Sequence, residues 1–303
     1  MTPGKKRSLR LRAFAKINPC LHVLGRRPDG YHELRTIFQT ISLADTLELS
    51  IITLDSGGVE IFLKSSDPTL PLGRGNLVVR ALEAVISEIG FRGSVSAYLE
   101  KKIPVARGLG GGSSDAAAAM LGMLQLTKTK LPLHRLMEMA ASLGADVPFF
   151  LLGGRALAVN RGDEIYPLAD VPRRIIVVVS PSGIGVRTQE AYRWLSSELT
   201  NREKAPTIWR FCALCWSRQE TLSNDFEGPV FSRHPRLKQI RDGLLERGAA
   251  DAALAGSGSA VFGIFQNPAR ARRAARAFPE DSVFVVETVS REKYGRAMRW
   301  HAP

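Results

Sequence analysis

Pro104-Val105-Ala106-Arg107-Gly108-Leu109-Gly110-Gly111-Gly112-Ser113-Ser114 sets four glycines and two serines directly ahead of an alanine- and leucine-rich stretch, Asp115 to Leu126. Glycine reaches backbone conformations closed to other residues and lets a ligand approach the main chain. A loop of this kind opening a helix turns several N–H groups toward one point, beside the positive end of the helix dipole, which makes an anion site. Serine hydroxyls add a hydrogen bond to phosphate or a ligand to Mg²⁺. The spacing predicts a helix over 115–126 capped by Ser113 or Ser114. The bland alternative is a flexible turn, yet glycines at 108, 110, 111 and 112 lose backbone entropy that an ordinary turn would not forfeit.

Two familiar phosphate loops are excluded. No Gly-Lys-Ser/Thr triplet follows, so this is not a Walker A loop, and Ser113 stands where the dinucleotide fingerprint has its third glycine. Protein-kinase catalytic and metal-binding signatures are also absent. A second cluster, Ala255-Gly256-Ser257-Gly258-Ser259, precedes a strand rather than a helix and is placed to line the same cleft.

Working outward, Leu9, Leu11, Ala13, Ala15 and Ile17 alternate with Arg10, Arg12, Phe14 and Lys16, the period of a half-buried strand that puts Lys16 and Asn18 on one face. Strands are expected at Thr46 to Leu54 and Val59 to Leu63, joined as a hairpin by Asp55-Ser56-Gly57-Gly58, with another from Ser94 to Lys102. Leu133, Leu136, Met137, Ala140 and Ala141 predict an amphipathic helix ended by Gly144. Ala145-Asp146-Val147-Pro148 should leave it extended, since the residue before proline avoids the helical region. Ile175 to Val179 reads as a central strand. Ala260 to Phe265 and Ser282 to Val289 should flank a helix opened by Asn267-Pro268 with its stripe on Ala271, Ala274, Ala275 and Phe278. Strands and helices mix without βαβ alternation, so the fold class is α+β. The composition shift near Pro172 divides the chain into two expected domains, 1–170 and 171–303.

Apolar residues are 45% of the 303 and charged residues 23%, enough for a sizeable core and too apolar for general disorder. The net charge of +13 asks whether the partner is nucleic acid, a membrane surface or a small anion. The clusters Lys5, Lys6, Arg7, Arg10, Arg12 and Arg270, Arg272, Arg273, Arg276 lack the interleaved aromatics of single-strand binders and read as solvated faces. Neither a nucleic-acid nor a membrane partner is expected. Cys20, Cys212 and Cys215 cannot all pair, which suits a reducing compartment; Cys212-x-x-Cys215 lacks the further ligands a structural zinc needs. With no signal-length apolar run and no stretch of about 18 apolar residues, the expected location is the cytoplasm.

The loop-helix run PVARGLGGGSSDAAAA, with AKINPCLHVLGRRPDGYHEL, LGADVPFFLLGG and ALAGSGSAVFGIF in order around it, resembles the GHMP family of small-molecule kinases across nearly the whole chain. The resemblance implies two domains with the active site between them, ATP and Mg²⁺ as cofactors, and residues Pro104 to Ser114 as the ATP loop. Mg²⁺ would be held through the ATP phosphates, with Ser114 a further ligand. It implies Lys16 and Asp146 as the catalytic pair, Asp146 taking the proton of the attacking hydroxyl and Lys16 orienting it. The flanking segments point to a branch whose acceptor is a cytidylated polyol phosphate. Tyr31 and Tyr192 would then sandwich the base, His32 would hydrogen-bond it, and Asn18 and Thr188 would approach the rest. Pro19 and Cys20 replace larger apolar residues common in the family, so the first strand is expected to end early. Arg107 stands where a small residue is common, either adding charge to the phosphate site or pointing to solvent. A kinase or decarboxylase acting on mevalonate-type acids, or an RNA binder using the loop on backbone phosphates, are the readings left open.

Overall fold

The computed structural model describes residues 6–196 and 222–300. Cys212 and Cys215 lie outside the described residues, as does Lys5. The first sheet is built on two long antiparallel strands, β1 (Arg7–Arg26) and β2 (His32–Thr53). Its order is β3 (Val59–Ser65), β4 (Gly93–Glu100), β2, β1, β8 (Ser223–Asn224), and β5 (Arg155–Asn160) pairs with β2 and with β6 (Glu164–Pro167). The second sheet runs β11 (Ser282–Glu287), β7 (Ile175–Ser180), β10 (Val261–Phe265), β9 (Asp251–Leu254), antiparallel throughout. Segregated sheets and helices make the architecture α+β, as the missing alternation implied.

Helices α1 (Leu77–Ile89), α2 (Gly111–Thr127), α3 (Leu133–Leu143) and α4 (Phe149–Leu152) cover one face of the first sheet around Leu11, Leu47, Leu49 and Val95. The alanine-rich α2 is buried over most of its surface, and an added methyl at Gly122 would sit 3.1 Å from Leu49 and 3.2 Å from Leu11. Small side chains thus let the helix bearing the glycine loop lie close on the sheet. The second sheet meets the first through Ile176, Val178 and Phe262 against Ala15, Ile17 and Ile41. Its other face is covered by α5 (Thr188–Ser196), α6 (Glu227–Arg233), α7 (Pro235–Glu246) and α8 (Pro268–Ala275). The closing helix α9 (Arg291–Met298) returns to the first core, where Tyr294 donates to the Phe150 carbonyl at 2.5 Å. Asn267 caps α8 as expected, and Arg270, Arg272, Arg273 and Arg276 are exposed. Among the described residues no helix is long and apolar enough to cross a membrane.

Several local expectations give way. β1 does not stop at Pro19; it continues to Arg26, with a register shift between Ile17 and Cys20 absorbing the residue that cannot donate. Nor is it half-buried from Ala13 to Leu21: Phe14, Lys16 and Asn18 are buried too, because layers cover both faces. β2 and β3 form no hairpin. β4, with Val95, Ala97 and Leu99 buried, takes the place beside β2 and leaves the more exposed β3 at the edge, parallel to β4. The buried stripe of α3 is Leu136, Met139, Ala140 and Leu143, rotated from the expected one.

Candidate active site

The helix carrying the glycine loop begins earlier than its serines suggest. Gly110, at φ +72°, occupies the N-cap position without a side-chain cap, and Ser113 and Ser114 lie inside the first turn. Positive φ at Ala106, Gly108 and Gly110 alternates with ordinary backbone at Arg107 and Leu109. That alternation gathers successive N–H groups into a concave anion site, here continuous with the open first turn of α2. Two close approaches fix it. A methyl on Gly108 would lie 1.9 Å from the Ala255 carbonyl oxygen, and one on Gly110 would lie 2.9 Å from the Phe150 ring and 3.0 Å from the Lys16 stem.

Lys16 is carried under the loop by β1, whose backbone N–H donates to the Leu109 carbonyl at 3.0 Å. The residue is 4% exposed, and Nζ lies 2.8 Å from Asn18 Oδ1 and 3.4 Å from Asp146 Oδ2, above the Phe38 ring. Asn18 is in turn held by Thr36 Oγ1 at 2.7 Å. Asp146 does not sit in extended chain. The segment 145–148 is a turn in which Val147 N–H donates to Gly144, and Pro148 adopts helical dihedrals that lead into α4. Proline is tolerated at such a helix start because it lacks a donor that the first turn would leave unused.

These groups line a cleft of about 400 Å³, together with Thr188, Tyr192 and the second cluster through Gly256 and Ser257. Thr188 Oγ1 and Ser257 Oγ are 3.1 Å apart. The two aromatic positions expected to sandwich a base are not paired. His32 stacks on Tyr192 at 4.6 Å and meets Ser196 Oγ at 2.9 Å, while Tyr31 is 56% exposed beneath Arg161. Burial, helped by Arg26, lowers the His32 pKa; burial and then the Asp146 charge raise that of Tyr192. Both rings are thus neutral stacking surfaces near neutrality.

One group escaped the sequence reading. Lys101 Nζ is clamped between Asp45 Oδ2 at 2.5 Å and Asp115 Oδ2 at 2.7 Å, and Asp45 Oδ1 also accepts from the Ile103 N–H. Burial works against the Lys101 charge, but Asp115 and Asp45 outweigh it and hold its pKa above the usual lysine value. Burial pushes the Asp115 carboxyl up to about 7 against the pull of Lys101. The available signals were an acid amid the apolar residues of β2 and another one turn into the alanine-rich α2.

The loop fits nucleotide phosphates, since positive φ at Ala106, Gly108 and Gly110 leads straight into a helix start that carries no side-chain cap. For a cation, Ser113 lines the cleft, whereas Ser114 Oγ is buried with no hydrogen-bond partner.

Residues 76–154 match the family model described as GHMP kinases N terminal domain, and 212–282 match GHMP kinases C terminal. A 4-diphosphocytidyl-2-C-methyl-D-erythritol kinase of Solibacter usitatus (strain Ellin6076) is 45% identical over 307 residues, covering 97% of this chain and 94% of the relative. The chain belongs to the GHMP kinase family. A kinase of the same name from Syntrophotalea carbinolica is 40% identical, covering 92% of this GHMP kinase and 98% of the relative. A crystal structure of 4-(cytidine 5'-diphospho)-2C-methyl-D-erythritol kinase superposes with a TM-score of 0.77 at 38% identity, covering 92% and 99% of the two chains. The protein is therefore an ATP-dependent small-molecule kinase.

Proposed function

We propose that this GHMP kinase phosphorylates the 2-hydroxyl of 4-diphosphocytidyl-2-C-methyl-D-erythritol, giving the 2-phosphate and ADP in non-mevalonate isoprenoid precursor synthesis. The observation that carries the reading is the Lys16–Asp146 pair, 3.4 Å apart, directly beside the glycine cradle. The acceptor is taken from the names of the relatives at 45% and 40% identity over nearly their full lengths.

Phosphoryl transfer asks a protein mainly for positioning and charge stabilisation. In this reading the N–H groups from Gly108 to Ser113 hold the donor phosphates. The acceptor oxygen attacks the terminal phosphorus, the bond to the bridging oxygen breaks to release ADP, and the hydroxyl proton passes to Asp146. Lys16 holds Asp146 in place and offsets charge developing on the transferred group, with Asn18 fixing the ammonium. Ser113, which lines the cleft, would offer a hydroxyl to Mg²⁺, which would supply further charge neutralisation. Thr188 and Asn18 approach the polyol. The His32–Tyr192 stack receives the cytosine, with Tyr31 at its rim. Residues 1–170 supply the donor loop, the catalytic pair and the acceptor contacts of Asn18, Tyr31 and His32, 171–303 complete the acceptor side with Thr188 and Tyr192, and the enzyme works in the cytoplasm.

ADP release across a panel of acceptors tests the reading. Turnover is expected with the cytidylated acceptor and not with mevalonate or homoserine; silence with the first and response to mevalonate would overturn it. Salt-sensitive RNA binding without any ATP turnover would favour the nucleic-acid reading instead.

A further inference from the structure

Among the described residues, three cationic side chains line the cleft: Lys16, Lys101 and Arg107. Lys16 is paired with Asp146, and Lys101 with Asp45 and Asp115. Arg107 has no carboxylate partner among the described residues. Its guanidinium is half-buried, which lowers its pKa, and an arginine keeps its charge in a protein. Its one side-chain hydrogen bond among the described residues runs from Nη1 to Ser259 Oγ at 2.8 Å, and Ser259 donates onward to the Ile184 carbonyl at 2.6 Å. A guanidinium has five N–H donors, so most of its fork remains unused.

Its direction identifies what it is for. The Arg107 backbone belongs to the donor loop, and its carbonyl accepts from the Ala260 N–H at 3.2 Å. The side chain, however, reaches across to the second glycine cluster and to the loop before α5; a methyl on Gly185 would come within 3.7 Å of Nη1. That loop delivers Thr188, which is bonded to Ser257. Arg107 is thus anchored where the donor loop meets the acceptor wall. A partly desolvated cation without a counter-charge is unfavourable until an anion arrives, and the planar fork suits a phosphate.

We propose that Arg107 is a positioning and specificity residue that grips the diphosphate of the acceptor and holds it against the donor loop. This rests on the acceptor reading above, in which the substrate carries a nucleoside diphosphate. It gives this chain a contact that a small residue at the same position could not make, and it separates the loop's two tasks: backbone for the donor, side chain for the acceptor.

The test compares wild type with Arg107→Gln, Arg107→Lys and Ser259→Ala in steady-state kinetics and in calorimetric binding of CDP, CMP and ATP. R107Q keeps a side-chain donor toward Ser259 and loses the charge. The proposal expects R107Q to raise the acceptor KM by about ten- to a hundredfold, as for a lost charge-assisted hydrogen bond, with the KM for ATP within about twofold. It further expects R107K to recover part of the loss and CDP affinity to fall more than CMP affinity. S259A, which removes the tether and keeps the charge, should do much less. An unchanged acceptor KM in R107Q, a rise confined to ATP, or an S259A variant as impaired as R107Q would overturn it. If wild type fails to turn over the cytidylated acceptor, the functional reading falls. The CDP-against-ATP comparison then still decides whether Arg107 reads a nucleoside diphosphate.

Discussion

Substituting Gly108 with alanine is the sharpest perturbation the geometry offers. At φ +77° the residue is in the left-handed region, where a side chain costs about 1–2 kcal/mol. The larger effect is steric. The new methyl would lie 1.9 Å from the Ala255 carbonyl oxygen and 2.9 Å from its carbon, and both are backbone atoms without a rotamer to change. That is roughly 1.5 Å inside ordinary van der Waals contact, so the two glycine clusters must part by a comparable distance. Misplacement of about 1 Å in reacting groups lowers rate by about a hundredfold. Gly112→Ala is the matched control, because its methyl meets only Leu77 Cδ1 at 3.8 Å and it lies inside α2. There alanine should stabilise the helix by about 0.5–1 kcal/mol. ADP-release kinetics and thermal melts of both variants decide the matter. G108A is expected to lose about two orders of magnitude in kcat/KM and to melt below wild type, whereas G112A, the control for backbone strain, should melt at an equal or higher Tm. G108A activity within about threefold of wild type would refute the contact between the clusters as the element that shapes the site.

Other expectations follow from single groups. Asp115 is an acid whose folded pKa is raised to about 7 from the ordinary 3.8, so between those values the native state holds more protons than the unfolded one and stability falls as pH rises. The Tm of wild type relative to Asp115→Asn should therefore decline from pH 5 to about pH 7 and level off above it; a pH-independent difference would contradict this. Lys16→Met removes the ammonium that holds Asn18 and Asp146, and kcat should drop far more than ATP affinity changes; equal losses in both would place Lys16 in binding only. Asn267→Ala deletes a cap that accepts from Ala269 and Arg270, and should lower stability by about 1 kcal/mol without altering kinetics, read by denaturant unfolding.

The legible parts of the site were those written in one short stretch. Glycines at 108, 110, 111 and 112 mark a loop of unusual backbone freedom, which the structure uses at Gly108 and Gly110 through positive φ, while Gly111 and Gly112 open α2. The Lys16–Asp146 pair joins positions 130 residues apart, and no local pattern encodes that contact; only the family motifs brought the two together. Lys101 was passed over because a lysine near a strand end is ordinarily solvated, whereas here α2 and β2 close over it with Asp115 and Asp45. The mistaken hairpin has a similar origin. Asp55-Ser56-Gly57-Gly58 is a sound turn, but strand partners are chosen by burial, and the more deeply buried β4 takes the place beside β2. The stacking of His32 on Tyr192 likewise depends on how β2 and α5 meet across the chain.

The central claim is that this cleft moves a phosphoryl group onto one hydroxyl of a cytidylated acceptor, with Asp146 taking the proton. Phosphorus NMR of wild type and Asp146→Asn with ATP, Mg²⁺ and the cytidylated acceptor tests it most directly. Wild type should produce ADP and a new phosphomonoester on the acceptor's 2-hydroxyl in equal amounts, and D146N should produce neither while still binding ATP. Undiminished ester formation by D146N, or ADP formed by wild type without any new ester, would contradict the account.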